Sequence, residues 1–155
     1  MAEAPPLAYF DTSALVKRFV GESGTLHVRR LLRRHRVISS VLLQVELVAA
    51  LRRRRTDGVL SRAAVDRILR RVRSDSSAWE LVPIADEVIE LARGCVLEHP
   101  VRTLDAIHVA SAESVRREGL RLPFVTADTR QAATARARGL DVIEVRSDPE
   151  PHRRA

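Results

Sequence analysis

Five short apolar runs, set between longer stretches of helical periodicity, constrain this chain more than any other feature. The runs are Leu7–Phe10, Arg36–Ser39, Trp79–Pro83, Pro123–Thr126 and Asp141–Val145. Each has the length of a strand rather than of a helix. Helices are predicted between them at roughly 12–20, 25–34, 41–55, 61–75, 86–98, 104–118 and 129–138. The clearest is 86–98, where Val88, Leu91, Ala92, Cys95 and Val96 fall at i, i+3, i+4, i+7 and i+8. Gly119 and Gly139 stand where the last two helices should stop. Strands alternating with helices predict an α/β fold with a parallel sheet covered on both faces. A chain of 155 residues suits one core. The expectation is therefore a single domain over 1–155, with its core at about 7–146 and flexible ends at 1–6 and 147–155, where proline and polar residues interrupt the pattern.

Composition narrows the function classes. No run approaches ~18 consecutive apolar residues, so a membrane span is not expected. The first ten residues lack the basic segment and apolar stretch of a signal peptide. Cys95 is the only cysteine and has no internal partner, which fits the cytoplasm. The net charge of +7 has the sign of a protein that meets phosphate backbones. Lys17 is the only lysine, however, and a GC-rich genome would also favour arginine. Aromatic residues are 3% of the chain, too few for a base-stacking platform.

In a parallel α/β sheet, ligands bind beyond the carboxyl ends of the strands. Asp11 and Asp128 fall at that edge, and Asp105 lies in the first turn of its helix. Each has a structural reading. Asp11 can cap a helix, Asp128 with Gln131 has the spacing of a capping box, and Asp105 can complement a helix dipole. Glu46 lies in the apolar stretch "SVLLQVELVAAL", where a largely buried helix would have to pair it with an arginine or a cation. Four converging carboxylates would repel one another, and a hard divalent cation relieves that repulsion. One cysteine and scattered histidines offer no zinc alternative.

The stretches "YFDTSALVKRF", "SSVLLQVELVAAL", "RTLDAIHVASA" and "PFVTADTRQAATARARGLDVIEV" together resemble the four acidic motifs of PIN-domain proteins, and more narrowly the VapC-type toxins. The likeness spans about residues 7–145, in the family's order and spacing. It implies a five-stranded parallel sheet with helices on both faces and RNA cleavage dependent on Mg²⁺ or Mn²⁺. By motif, Asp11, Glu46, Asp105 and Asp128 take the places of the metal-site acids. Ser13 and Thr126 take supporting polar positions. The resemblance also implies a cognate VapB-type antitoxin, whose basic tail enters the acidic pocket, and a homodimer.

Several other residues carry local expectations. His108, one turn after Asp105, is read as a structural hydrogen-bonding residue, and Asp86 as an N-cap. Tyr9 and Trp79 are read as core. Lys17 and Arg18 could meet a phosphate near the pocket. With Thr12 and Ser13 available to cap backbone amides, the Asp11 carboxylate would be free to face the other acids. Two further functions compete: a PIN-like module that binds RNA without cutting it, and a phosphoryl-transfer protein with an aspartate after its first strand. A dehalogenase-type phosphatase would want a second aspartate two residues after Asp11, where this chain has Ser13.

Overall fold

Strand pairing in the computed structural model, which describes residues 4–148, follows the expected pattern. The strands are β1 (Leu7–Phe10), β2 (Arg36–Ser40), β3 (Glu80–Val82), β4 (Phe124–Thr126) and β5 (Val142–Glu144). They form one sheet in the order β3-β2-β1-β4-β5. Every pairing is parallel, with Tyr9 opposite both Ile38 and Phe124. β1 and β4 are almost wholly buried, whereas the edge strands β3 and β5 are half-open. The sheet is therefore the parallel α/β sheet that the alternation predicted, with the five strands that the resemblance implied.

Among the described residues, seven α-helices connect the strands: α1 (Thr12–Leu15), α2 (Thr25–Leu32), α3 (Leu43–Thr56), α4 (Arg62–Ser76), α5 (Asp86–Glu98), α6 (Thr103–Arg117) and α7 (Thr129–Ala137). The two-residue period of the strands divides the core between two faces. Tyr9, Ile38 and Phe124 pack with Val88, Leu91 and Cys95 of α5 and Val109 of α6. Ala8, Phe10, Val37 and Val125 point the other way, toward Leu15, Leu31 and the Leu43, Leu47 and Leu51 stripe of α3. Tyr9 stacks on Phe124 with ring centroids 5.2 Å apart. Trp79 is half-buried beside the second cluster, its ring 6.3 Å from that of Phe19.

Gly119 and Gly139 do stop α6 and α7. With φ of 95° and 78°, both adopt the left-handed conformation that glycine accepts at least cost. Their N–H groups donate to the Arg116 and Arg136 carbonyls, and the next residues donate to Val115 and Ala135. That pair of bonds is the Schellman stop.

Three expectations need correction. The helix expected over 12–20 is one α-helical turn followed by a 3-10 turn at Val16–Arg18, because Phe19 N–H closes on the Val16 carbonyl three residues back. α3 is buried on one face only, since Val45 and Val48 are exposed on the other. Asp86 is the first residue of α5 rather than its cap. Ala85 holds the capping position without a side-chain bond, so Asp86 contributes only its charge near the helix N-terminus. Of the ends expected to be flexible, residues 1–3 and 149–155 lie outside the described residues. Pro6 and Asp148 are tied down, accepting bonds from Arg36 N–H and Leu26 N–H. Among the described residues, no helix is long and apolar enough to cross a membrane.

Candidate functional site

β1 runs up the centre of the sheet and delivers Asp11 to its carboxyl edge. The Asp11 N–H donates to the Val125 carbonyl, so the residue is fixed by β4 before its side chain makes any bond. Asp11 itself caps α1: Oδ1 accepts from Ala14 N–H at 2.9 Å. Ser13 Oγ lies 2.9 Å from both carboxylate oxygens, and Thr126 Oγ1 donates to Oδ2 at 2.9 Å. The hydroxyls of Thr12 and Ser13 are thus not the caps the sequence suggested. Ser13 braces Asp11 while accepting from Ala127 N–H, and Thr12 donates to Glu46.

Burial dominates the acidity of Asp11. The carboxyl is pushed up to about 6, desolvation outweighing the His108 ring, the Ala14 N–H and the two hydroxyls that favour its ionised form. Repulsion among the four acids is not a leading cause. Thr126 Oγ1 also lies 3.0 Å from Gln131 Oε1 and accepts from Asp128 N–H. A single hydroxyl proton serves one acceptor at a time. An un-ionised Asp11 can donate to Thr126, leaving the threonine proton for Gln131.

Glu46 enters from the first turn of α3 and finds an imidazole rather than an arginine. Its Oε2 is 2.5 Å from His108 Nε2 and accepts from Thr12 Oγ1 at 2.7 Å. His108 is buried in α6, and its Nδ1 lies 2.9 Å from the Oη of the fully buried Tyr9. The chain is satisfied when Tyr9 donates to Nδ1 and His108 Nε2–H donates to Glu46. Burial pushes the Tyr9 phenol up, so it stays a donor. Burial also pushes Glu46 up, but the hydrogen bonds from His108 and Thr12 and the positive charge of Arg102 hold it below the ordinary carboxylate range.

Asp105 and Asp128 share a third arrangement. Asp128 caps α7, its Oδ1 accepting from the N–H groups of Arg130 and Gln131 at 2.9 and 3.0 Å. The return half of the expected capping box is missing, because Thr126 rather than Gln131 receives the Asp128 N–H. The other oxygen, Oδ2, accepts from Arg102 Nη2 at 3.2 Å. Arg102 Nε donates to Asp105 Oδ2 at 2.7 Å. One guanidinium therefore spans the two carboxylates.

All four sequence-nominated acids, with Ser13, line a single cleft of about 650 Å³. Thr126 lies beneath it, fully buried. Among the described residues, no group of three or more His, Cys, Asp or Glu side chains is arranged to hold a metal ion as those side chains stand. Asp11 and Glu46 are turned to their own hydrogen-bond partners, and Arg102 lies between the other two. The donor set still has the hard-oxygen character that Mg²⁺ or Mn²⁺ favours. Lys17 lines the cleft as expected, but Arg18 turns away to Asp75. Two cleft residues were not among the sequence candidates: Arg102, and a fifth carboxylate, Glu22, which pairs with Lys17 and Arg54 at the rim. Only Arg102 carried a local signal, its i, i+3 spacing to Asp105.

A five-stranded parallel α/β protein with an acidic cleft at the carboxyl edge of its sheet is the class these features define. The PIN domain model matches residues 8–143, and the chain belongs to the PIN-domain family. It is 36% identical over 136 residues to Ribonuclease VapC46 from Mycobacterium tuberculosis, a match covering 87% of this chain and 95% of that protein. Two solved structures share the fold at lower identity. FitAcB from Neisseria gonorrhoeae aligns with a TM-score of 0.68 and 15% identity over 89% of this chain and 97% of its own. VapBC-5, a member of the VapBC family of toxin–antitoxin systems from Mycobacterium tuberculosis, aligns at 0.61 and 20% identity over 91% and 100%.

Proposed function

We propose that this chain is an endoribonuclease toxin of a toxin–antitoxin pair, hydrolysing RNA phosphodiester bonds with Mg²⁺ or Mn²⁺ at Asp11, Glu46, Asp105 and Asp128. The observation that carries the reading is the gathering of these four acids, from four separate motifs, on one cleft. Family membership and the similarity to a protein named as a ribonuclease support the same chemistry. A purely electrostatic RNA binder would gain nothing from an anionic floor, which disfavours the non-catalytic module.

A divalent cation held by Asp11, Glu46, Asp105 and Asp128 would supply Lewis-acid activation of water and positive charge for the transition state of phosphodiester hydrolysis. The chain's own residues prepare that site. Ser13 and Thr126 fix the Asp11 rotamer, and the Tyr9–His108 pair with Thr12 fixes Glu46. The N-cap bonds of Asp128 hold one oxygen against α7 and leave the other facing the cleft. Lys17 and the Arg52–Arg54 run line the cleft and would meet the RNA backbone there, with salt-sensitive affinity. The partners of this reading are an RNA substrate, a VapB-type antitoxin that places basic residues in the cleft, and a second copy of the chain, all in the cytoplasm.

The deciding assay is RNA cleavage by the purified protein with Mg²⁺ or Mn²⁺, beside D11N and beside chelator. Cleavage should vanish in both controls. Cleavage that persists in both would overturn the metal-carboxylate mechanism, and RNA binding without any cleavage would favour the non-catalytic module.

A further inference from the structure

Arg102 stands apart from the other polar residues of the cleft. It precedes α6 with an extended backbone (φ −74°, ψ 153°) and makes no side-chain cap bond. Its side chain is 76% exposed, yet its guanidinium reaches two carboxylates that come from different elements. Nε is 2.7 Å from Asp105 Oδ2, and Nη2 is 3.2 Å from Asp128 Oδ2. The other two acids are satisfied otherwise. Asp11 has hydroxyls and a backbone amide, and Glu46 has a hydroxyl and an imidazole. Among the described residues, Arg102 is the only arginine or lysine that pairs with any of the four acids.

We infer that Arg102 is a resting counter-cation of the acidic cleft, which a divalent metal must displace from Asp105 and Asp128, and that it thereby sets the metal concentration at which the site fills. The inference rests on the metal-site reading above and extends it to how that site is kept in readiness. A guanidinium and a divalent cation compete for the same oxygens, and the guanidinium is tethered, so its local concentration never falls. Exposure gives it the right strength. A buried arginine bridging two carboxylates would be hard to remove, because removal strands buried charges. An exposed one is held loosely and has solvent to move into. The planar fork also explains why arginine rather than lysine fits here, since one ammonium cannot make two divergent bonds of this kind as readily.

The test is a calorimetric titration of Mn²⁺ into the full-length protein without RNA, at low salt, for wild type, R102Q and R102K. The Mn²⁺ dependence of RNA cleavage is measured beside it, and thermal melts check that each variant is folded. Loss of two exposed ion pairs should tighten Mn²⁺ binding on the order of threefold to tenfold in R102Q. R102K should lie between R102Q and wild type. The Mn²⁺ midpoint for cleavage should move down in the same order. A residue that merely supports the site would give the opposite sign, because its loss would loosen the carboxylates and weaken binding. Unchanged or weaker Mn²⁺ binding in a folded R102Q, or weaker binding in R102K than in wild type, would overturn the proposal while leaving the metal site intact. Wild type that neither binds Mn²⁺ nor cleaves RNA would instead overturn the underlying reading.

Discussion

Replacing Asp11 by asparagine should stabilise the metal-free protein at neutral pH. The folded state lifts the Asp11 carboxyl from 3.8 to about 6, chiefly by burial. That displacement corresponds to about 3 kcal/mol of stability linked to its proton. The folded chain holds the proton more tightly than the unfolded chain does. The contribution is therefore fully present below about pH 4, declines as pH rises, and is lost above about pH 6. At pH 7.5 the wild-type protein folds around an unfavourably desolvated carboxylate. An asparagine side chain in its place would keep an acceptor for the Ala14 N–H, and its amide could donate to the Thr126 hydroxyl, which is free to turn toward Gln131.

Urea denaturation of wild type and D11N, in chelator, at pH 4.5 and pH 7.5 separates the two effects. Comparing the variant with wild type at each pH cancels the other titrating groups. D11N should be within about 1 kcal/mol of wild type at pH 4.5 and about 1–3 kcal/mol more stable at pH 7.5. For a domain of this size, the latter gain raises the melting temperature by roughly 2–10 °C. Saturating Mn²⁺ should then stabilise wild type far more than D11N, reversing their order. If D11N is equally destabilised at both pH values, the hydrogen bonds to Asp11 outweigh its burial and the reasoning is refuted.

Two other positions test the side chains that hold the acids in place. His108→Ala leaves the buried Tyr9 Oη and the partly buried Glu46 without their shared partner, at a cost of roughly 2–4 kcal/mol by urea denaturation. The same change should weaken Mn²⁺ binding by about 10–100-fold in calorimetry, as loss of an orienting hydrogen bond to a metal ligand does. Thr126→Val removes the hydroxyl that meets Asp11, Gln131 and the Asp128 N–H, and should cost roughly 1–3 kcal/mol. With that bond gone, the pH window over which Asp11 loses its stabilising proton should move upward, read from stability curves between pH 4 and 8.

The elements were legible wherever a local period or stop governed them. Leu7–Phe10 and Phe124–Thr126 are strands because their residues are buried on both faces, as the unbroken apolar runs implied. The ends of α6 and α7 follow from Gly119 and Gly139. The sequence could not reveal partners supplied by distant segments. Glu46 announced that it needed a counterpart, but the counterpart was His108, 62 positions away, rather than a nearby arginine. Arg102 could be paired with Asp105 by spacing, yet its bond to Asp128 exists only because α6 and α7 meet at the sheet edge. The hydroxyl assignments at Thr12 and Ser13 failed for a related reason. Either could cap α1 locally, but Glu46 and Ala127 N–H offered partners that only the folded chain brings near.

Capping and the proposed ligand role are therefore not rival explanations for these acids, since a carboxylate has two oxygens and the fold uses them differently. In Asp128, Oδ1 is committed to the α7 amides and Oδ2 faces Arg102 across the cleft. In Asp11, Oδ1 holds Ala14 N–H while Oδ2 takes Thr126. Fixing one oxygen against a helix N-terminus restricts the side chain to one rotamer, which is how a short acidic residue can be aimed without a second carboxylate to brace it. Stability and chemistry are consequently entangled at both positions. An alanine there would remove the cap, worth about 1 kcal/mol, together with the charge. Asparagine removes the charge and keeps the acceptor, so only the isosteric change isolates what the carboxylate does for the cleft.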